Sequence, residues 1–306
     1  MVAITPDVLP VVQPSPGYWA QVGRRLLRDK VTVICGIILL LIILAAIFAP
    51  YLGLADPYRA SIIRRLRPIG TPGYLLGTDE QGRDMLARLV YGGRISLAVG
   101  LAAMFVAIGV GVLIGAISGM ASGRVDAILM WFADLFLSLP QLPLLLLVIY
   151  LFRDALKNLL GLEMGVFVLI VLVIGGLRWM PVARLVRAQF LSLREKEFVE
   201  AARALGASRL RLVIRHILPN AMGPVIVAGT IDVAAAIIAE STLSFLGLGF
   251  PPDVPTWGRV LFDAKDYLDI APHWALFPGA AIFLTVLSIN FIGDGLRDAL
   301  DPRRVL

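Results

Sequence analysis
The sequence predicts an all-α membrane protein with six transmembrane helices. Two observations predict it. Hydrophobic residues make up 58% of the 306 residues, and the mean hydropathy of +0.85 is too high for an ordinary water-soluble domain. The apolar residues also gather into runs near the roughly 20 residues that a helix needs to cross a bilayer. The net charge of +6 lies mainly in the tails and loops, where it reports topology and does not point to nucleic acid.

In chain order, residues 1–30 read as a polar cytoplasmic tail ending in Arg24, Arg25, Arg28 and Lys30, and residues 31–50 hold the first span. That span runs into Pro50 without a small-x-small cleavage pattern, so it reads as a retained anchor and not a signal peptide. Cys35 lies within it and is the chain's single cysteine, so no intrachain disulfide is possible. Residues 51–94 form an extracytoplasmic loop. Within it Thr78 and Gln81 stand at capping-box spacing, and Met85, Leu86, Leu89 and Val90 follow at helical intervals, which predicts an amphipathic helix on the outer surface. Asp79, Glu80, Arg83 and Asp84 would then either be available to a partner protein or form a solvated cap.

The remaining spans are placed at 95–118, 127–152, 166–180, 222–246 and 274–292, inside a core domain covering 95–296. Gly111, Gly115 and Gly119 make a small-x-x-x-small ladder on the second span, read as helix packing. Between the fourth and fifth spans, residues 181–220 carry eight Lys or Arg. The positive-inside rule therefore puts this loop, both termini and the 297–306 tail in the cytoplasm. Arg59, Arg64, Arg65 and Arg67 make the 51–94 loop basic as well, but long loops obey that rule poorly. After the fifth span "GFPPDVPTWGRV" reads as a turn-rich outer loop with Trp257 at the membrane interface, and this loop too could form part of a surface that meets a partner.

The basic loop contains "EAARALGASRLRLVIRHILPN". Its leucines and arginines alternate in a way that suits two short amphipathic helices, 195–205 and 209–217. Gly206 supplies the turn between them, Ser208 the cap of the second, and Pro219 the stop before the fifth span. Taken alone, such a loop is most often a connector lying on the membrane. Its residues resemble something more specific: Glu200-Ala201-Ala202, then Gly206, then Leu218-Pro219 are similar to the EAA loop of the permease subunits of binding-protein-dependent ABC importers. His216 stands where isoleucine is usual. "LGTDEQGRDMLARLVYGGRISL" and "ESTLSFLGLGFPPDVPTWGRVL" resemble the C-type permease of the dipeptide, oligopeptide and nickel importers, and the likeness runs from Arg24 onward.

The resemblance implies a MetI-like type I permease fold in a bacterial or archaeal inner membrane. It implies a second, homologous permease as a heterodimer partner, two ATPase subunits and a soluble substrate-binding protein. The binding protein or the companion permease would be the partner to which Asp79, Glu80, Arg83, Asp84 and the loop with Trp257 are available. Glu200, Ala201, Ala202, Gly206, Leu218 and Pro219 would then couple the chain to an ATPase. Transport by alternating access would carry di- or oligopeptides, with nickel, opines or oligosaccharides as alternatives on the same scaffold. Asp232 and Glu240 are candidate pathway residues, because intramembrane charge is costly unless it faces protein or water; Asp134 is a third such charge. A carboxylate at Asp232 could attract a peptide ammonium group or bond a neighbouring helix.

Enzymatic chemistry is not expected of this chain. No G-x-x-x-x-G-K-[ST] occurs and none of the four lysines follows a glycine, so ATP and Mg are expected in the partner ATPases. No H-E-x-x-H or Cys/His cluster points to a metal, and His216 and His273 read as interfacial side chains. An ion-coupled secondary transporter is the rival class, but it should show internal repeats with broken helices and would leave the EAA-like loop unexplained.

Overall fold
The computed structural model describes residues 18–121 and 123–300; the rest of the 1–30 and 297–306 tails lies outside them. Among the described residues the secondary structure is helical, with two isolated β-bridges. The tail does not stay irregular. Tyr18–Arg28 forms α1, which lays Val22 against the protein and directs Arg25 Nη1 to the Ala299 carbonyl at 3.4 Å. Asp29 then caps α2 (Lys30–Ile47), accepting from Val31 N and Thr32 N.

Four helical runs are long and apolar enough to cross a membrane: α2, α3 (Met85–Met120), the run Arg209–Phe245, and α12 (His273–Leu300). Two bent pairs bring the number to six. The expected third span is broken into α4 (Arg124–Ser138) and α5 (Gln141–Leu160), which meet at 91°. Pro140 causes the break, since a residue before proline is pushed out of the helical region, and Leu139 is extended at ψ 139°. The fourth span divides into α6 (Leu162–Gly176) and α7 (Trp179–Leu193), bent by 42° at Leu177 and Arg178 after a Gly-Gly pair.

The second span and the amphipathic helix expected before it are one object. Met85 to Met120 is a single 36-residue helix, about 54 Å long at 1.5 Å per residue. Thr78 caps nothing. Its hydroxyl accepts from Arg67 N at 3.0 Å and donates to the Arg64 carbonyl, while Asp84 caps α3 through Leu86 N at 3.0 Å. The loop before α3 needs Thr78 as a brace, and the capping-box spacing is coincidental.

Pro219 does not stop a helix either. After α8 (Glu197–Ala204) and the short α9 (Arg209–Arg211), the chain widens into a π-helical turn, Leu212–Ile217, and continues as α10 (Leu218–Phe245) with Pro219 in its first turn. A π turn gives the proline ring room and loosens the need for its missing N–H. Asn220 Nδ2 donates to the His216 carbonyl at 2.6 Å, using an acceptor at this site. The outer loop after α10 also contains a helix that turn residues concealed: α11 (Trp257–Ala264), capped by Thr256 accepting from Arg259 N at 3.1 Å.

The tightest seam joins α3 to α7. A Cβ on Gly111 would stand 2.6 Å from Val182 Cβ, one on Gly115 2.5 Å from the Ala183 carbonyl oxygen, and one on Gly119 2.5 Å from Phe190 Cβ. These glycines let the backbones touch. Gly109, on the same helix, faces open space. We therefore expect Gly115→Val to destabilise the protein by about 2–4 kcal/mol, because the obstacle includes backbone that cannot move aside. Gly109→Ala should be neutral or slightly stabilising. Thermal unfolding of both variants in detergent or nanodiscs checks this contrast.

Candidate functional site
The basic loop folds as a compact unit at one end of the α3–α7 seam. Val199 of α8 and Leu212 and Ile217 of the π turn are buried against Val186 and Phe190 of α7, which roots the loop in the helix pair. α8 ends in a Schellman arrangement. Ala207 N bonds the Ala202 carbonyl at 3.1 Å and Gly206 N bonds the Arg203 carbonyl at 3.0 Å, with Gly206 at φ +83°. Ser208 then accepts from Arg211 N at 3.4 Å.

This geometry turns one face outward. Glu200, Ala201, Arg203, Ala204 and Gly206 are exposed, Ala202 is half-buried, and Leu205 at the turn is 89% exposed. Leu210 and Ile214 are exposed beyond it. Leu218 is half-buried and Pro219 exposed, at the start of the α10 membrane run. A cleft of about 490 Å³ runs beneath the loop, between Met120, Arg194, Glu200, Arg203 and Arg209.

The three intramembrane carboxylates singled out from the sequence, Asp134, Asp232 and Glu240, each have a partner. Asp232 on α10 accepts from Arg178 Nε at 3.1 Å and Nη2 at 2.7 Å, both on Oδ1. Its charge is therefore already met within the chain, at the bend between α6 and α7. Glu240 is fully buried and accepts from Ser96 Oγ at 2.9 Å and Ser244 Oγ at 2.8 Å, while Ser96 Oγ also accepts from Trp257 N at 3.3 Å. It ties α10 to α3 and α11. Asp134 pairs with Arg184, and Asp126 takes a two-pronged bond from Arg187, Nε to Oδ1 and Nη2 to Oδ2, both at 2.6 Å. Sequence reasoning passed over Arg178, although an arginine at the end of an apolar run facing an acidic residue in another span was signal enough.

The outer candidates are corrected by burial. Asp79, Arg83, Asp84 and Trp257 point inward and offer no side chain to a partner. Arg83 binds Asp79 at 2.6 Å and Asp263 at 3.3 Å, and Arg88 binds Asp263 at 3.2 Å, so the loop, α3 and α11 meet in one charge cluster. Trp257 is buried within the protein, and its Nε1 donates to the Leu89 carbonyl at 3.0 Å. Glu80 is half-buried. Burial, with the charge of Asp79 beside it, raises its carboxyl above the usual range.

Removing one partner of the Arg178–Asp232 pair strands the other charge, so Arg178→Met or Asp232→Leu alone should each cost roughly 3 kcal/mol. The apolar double substitution should recover most of that loss. Thermal stability of the four proteins, read as a double-mutant cycle, tests the pairing.

The chain matches the family model for the binding-protein-dependent transport system inner membrane component over residues 111–305. It also matches that for the N-terminal TM domain of oligopeptide transport permease C over 17–68. It is 41% identical to the oligopeptide transport system permease protein OppC of Escherichia coli, over 93% of this chain and 91% of that one. It is 37% identical to the dipeptide transport system permease protein DppC of Alkalihalophilus pseudofirmus, over 93% and 90%. An inward-facing MetNI methionine ABC transporter shares the fold, with a TM-score of 0.57 at 20% identity, covering 71% of this chain and 98% of that one. With a helix-only fold of broken and continuous spans and a folded basic loop at its base, the chain belongs to the inner-membrane components of binding-protein-dependent transport systems, as a C-type permease subunit of an ABC importer.

Proposed function
We propose that this subunit forms half of a translocation pathway for di- or oligopeptides, driven by ATP hydrolysis in two separate ATPase subunits that hold the ATP and Mg. A homologous second permease completes the pathway and a soluble binding protein delivers substrate. Both termini and the basic loop face the cytoplasm. The peptide class rests on the relatives' names, oligopeptide and dipeptide permeases.

One observation carries the mechanism: the loop from Glu197 to Ile217 is folded, rooted in the α3–α7 seam, and exposes an apolar knob between arginines. Leu205 stands at the tip with Arg203 and Arg209 exposed on either side in the sequence. A partner groove that receives this tip can push on α7 through Val199 and Leu212, because a packed unit transmits displacement where a loose strand would absorb it. Glu200, Ala201 and Ala202 form the contacting face, and Gly206 fixes its angle. Leu218 and Pro219 carry the movement into α10. Alternating access then follows from the ATPase pair closing and opening beneath the two permeases.

Gly206 gives a clean test, since a Cβ there meets nothing within 4 Å and only the backbone is at issue. Gly206→Pro removes the N–H that bonds Arg203 and cannot adopt φ +83°. In proteoliposomes holding the whole importer, we expect ATP-dependent peptide uptake to fall at least tenfold in this variant while the spans remain folded. Normal uptake and normal substrate-stimulated ATPase activity in Gly206→Pro would overturn the coupling role. Uptake by the unaltered importer that ignores ATP and follows an ion gradient would overturn the importer mechanism itself.

A further inference from the structure
The basic outer loop finds no use in the coupling mechanism, yet it is held with care. Ser61 N bonds the Gln81 carbonyl at 2.8 Å, Leu66 N the Asp79 carbonyl at 3.3 Å, and Arg65 Nε the Glu80 carbonyl at 2.5 Å. Gly82, at φ +74°, lies so close to the Ser61 carbonyl that no side chain fits there. Leu66, at φ +57°, is the one non-glycine residue with positive φ among the described residues, a strained conformation that the surrounding bonds hold in place. The segment that these bonds fix presents Ile62 and Ile63 at 84% and 85% exposure. Arg59, Arg64, Arg65 and Arg67 are exposed beside them in the sequence, with Arg64 donating to Tyr74 Oη, Arg65 to the Glu80 carbonyl and Arg67 to the Ile63 carbonyl.

Height decides what can cover the two isoleucines. The exposed stripe of α3 runs Ala98, Leu101, Phe105, Gly109, Leu113, Ile117, and Arg94 is the next exposed position outward. The hydrocarbon boundary therefore falls between Arg94 and Ala98. Met85 stands roughly 14 Å beyond Arg94 at 1.5 Å per residue, and Ser61 is bonded to the chain just ahead of it. Lipid tails do not reach that level.

We propose that the Ile62–Ile63 turn, with the exposed arginines that flank it in the sequence, docks the soluble binding protein, whose matching surface is an apolar recess with an acidic rim. The inference rests on the importer reading above and names the chemistry of its partner. A rigid, strained turn loses little freedom on binding, and like-signed arginines on one side require carboxylates on the other.

The test uses the complete importer in nanodiscs with the binding protein of the same system as probe. In Ile62→Asp/Ile63→Asp the dissociation constant for the binding protein should rise at least tenfold. The milder Ile62→Ser/Ile63→Ser should move it in the same direction and serves if the aspartates impair folding. Arg59→Glu should weaken binding severalfold at 50 mM salt, with the difference from the unaltered importer shrinking at 500 mM. Unchanged affinity in both isoleucine pairs would overturn the proposal. So would loss of the companion permease from the purified variants, which would assign the turn to that subunit instead. If the unaltered importer failed to take up substrate with ATP and this binding protein, the importer reading would fall. Intact uptake with unaffected variants would reject only this surface.

Discussion

The close approach of α3 and α7 is the constraint on which the rest of the structure depends. Gly111, Gly115 and Gly119 remove the side chains that would hold the helices apart, and Val182, Val186 and Phe190 fill the space. In a bilayer, apolar side chains gain nothing by leaving lipid for protein, so association relies on dispersion contact and on polar groups that find partners. This seam supplies both. Arg194 of the loop after α7 donates to the Gly119 carbonyl at 3.1 Å, satisfying an acceptor that the end of α3 would otherwise leave open. Because α3 runs from the 51–84 loop and α7 leads into the basic loop, one helix pair connects the two loops.

Charge is the second organising element. Two of the intramembrane carboxylates that looked costly in isolation are matched by arginines elsewhere in the chain, Asp232 by Arg178 and Asp134 by Arg184, and Asp126 is matched in the same way by Arg187. Three of these arginines lie at or within α7, so that helix is joined to α10 on one side and α4 on the other. Glu240 follows a different rule and is held by hydroxyls from α3 and α10, with α11 completing the network. The outer cluster of Arg83, Arg88, Asp79 and Asp263 repeats the pattern above the membrane.

Hydrophobic runs of near-span length made the all-α membrane class legible, and Gly206 with Ser208 made the inner turn legible, because both are local effects. What escaped the sequence was governed by distant partners. Thr78 has a good capping-box neighbour in Gln81, but the Arg64 carbonyl competes for its hydroxyl from fourteen residues away. Asp79 and Arg83 read as a solvated cap until Asp263, brought close by α11, turns them inward. Pro219 reads as a stop because the π turn that accommodates it has no sequence signature of its own. The hydropathy of 127–152 is continuous and hides the right-angle break that Pro140 imposes.

The pairing of α4 with α7 also bears on how the chain is made. Among α4 residues only Ala133 is fully buried, and the helix is tied to α3 through Ser118–Asp126 and to α7 through Asp126–Arg187 and Asp134–Arg184. The arginine partners of Asp126 and Asp134 lie 61 and 50 residues further along the chain. During synthesis α4 therefore leaves the ribosome carrying two carboxylates with no arginine to meet them. A segment with that charge has little drive to enter lipid alone. The arginines that meet these carboxylates belong to α7, so the α4–α7 ion pairs close only once the fourth span has been made.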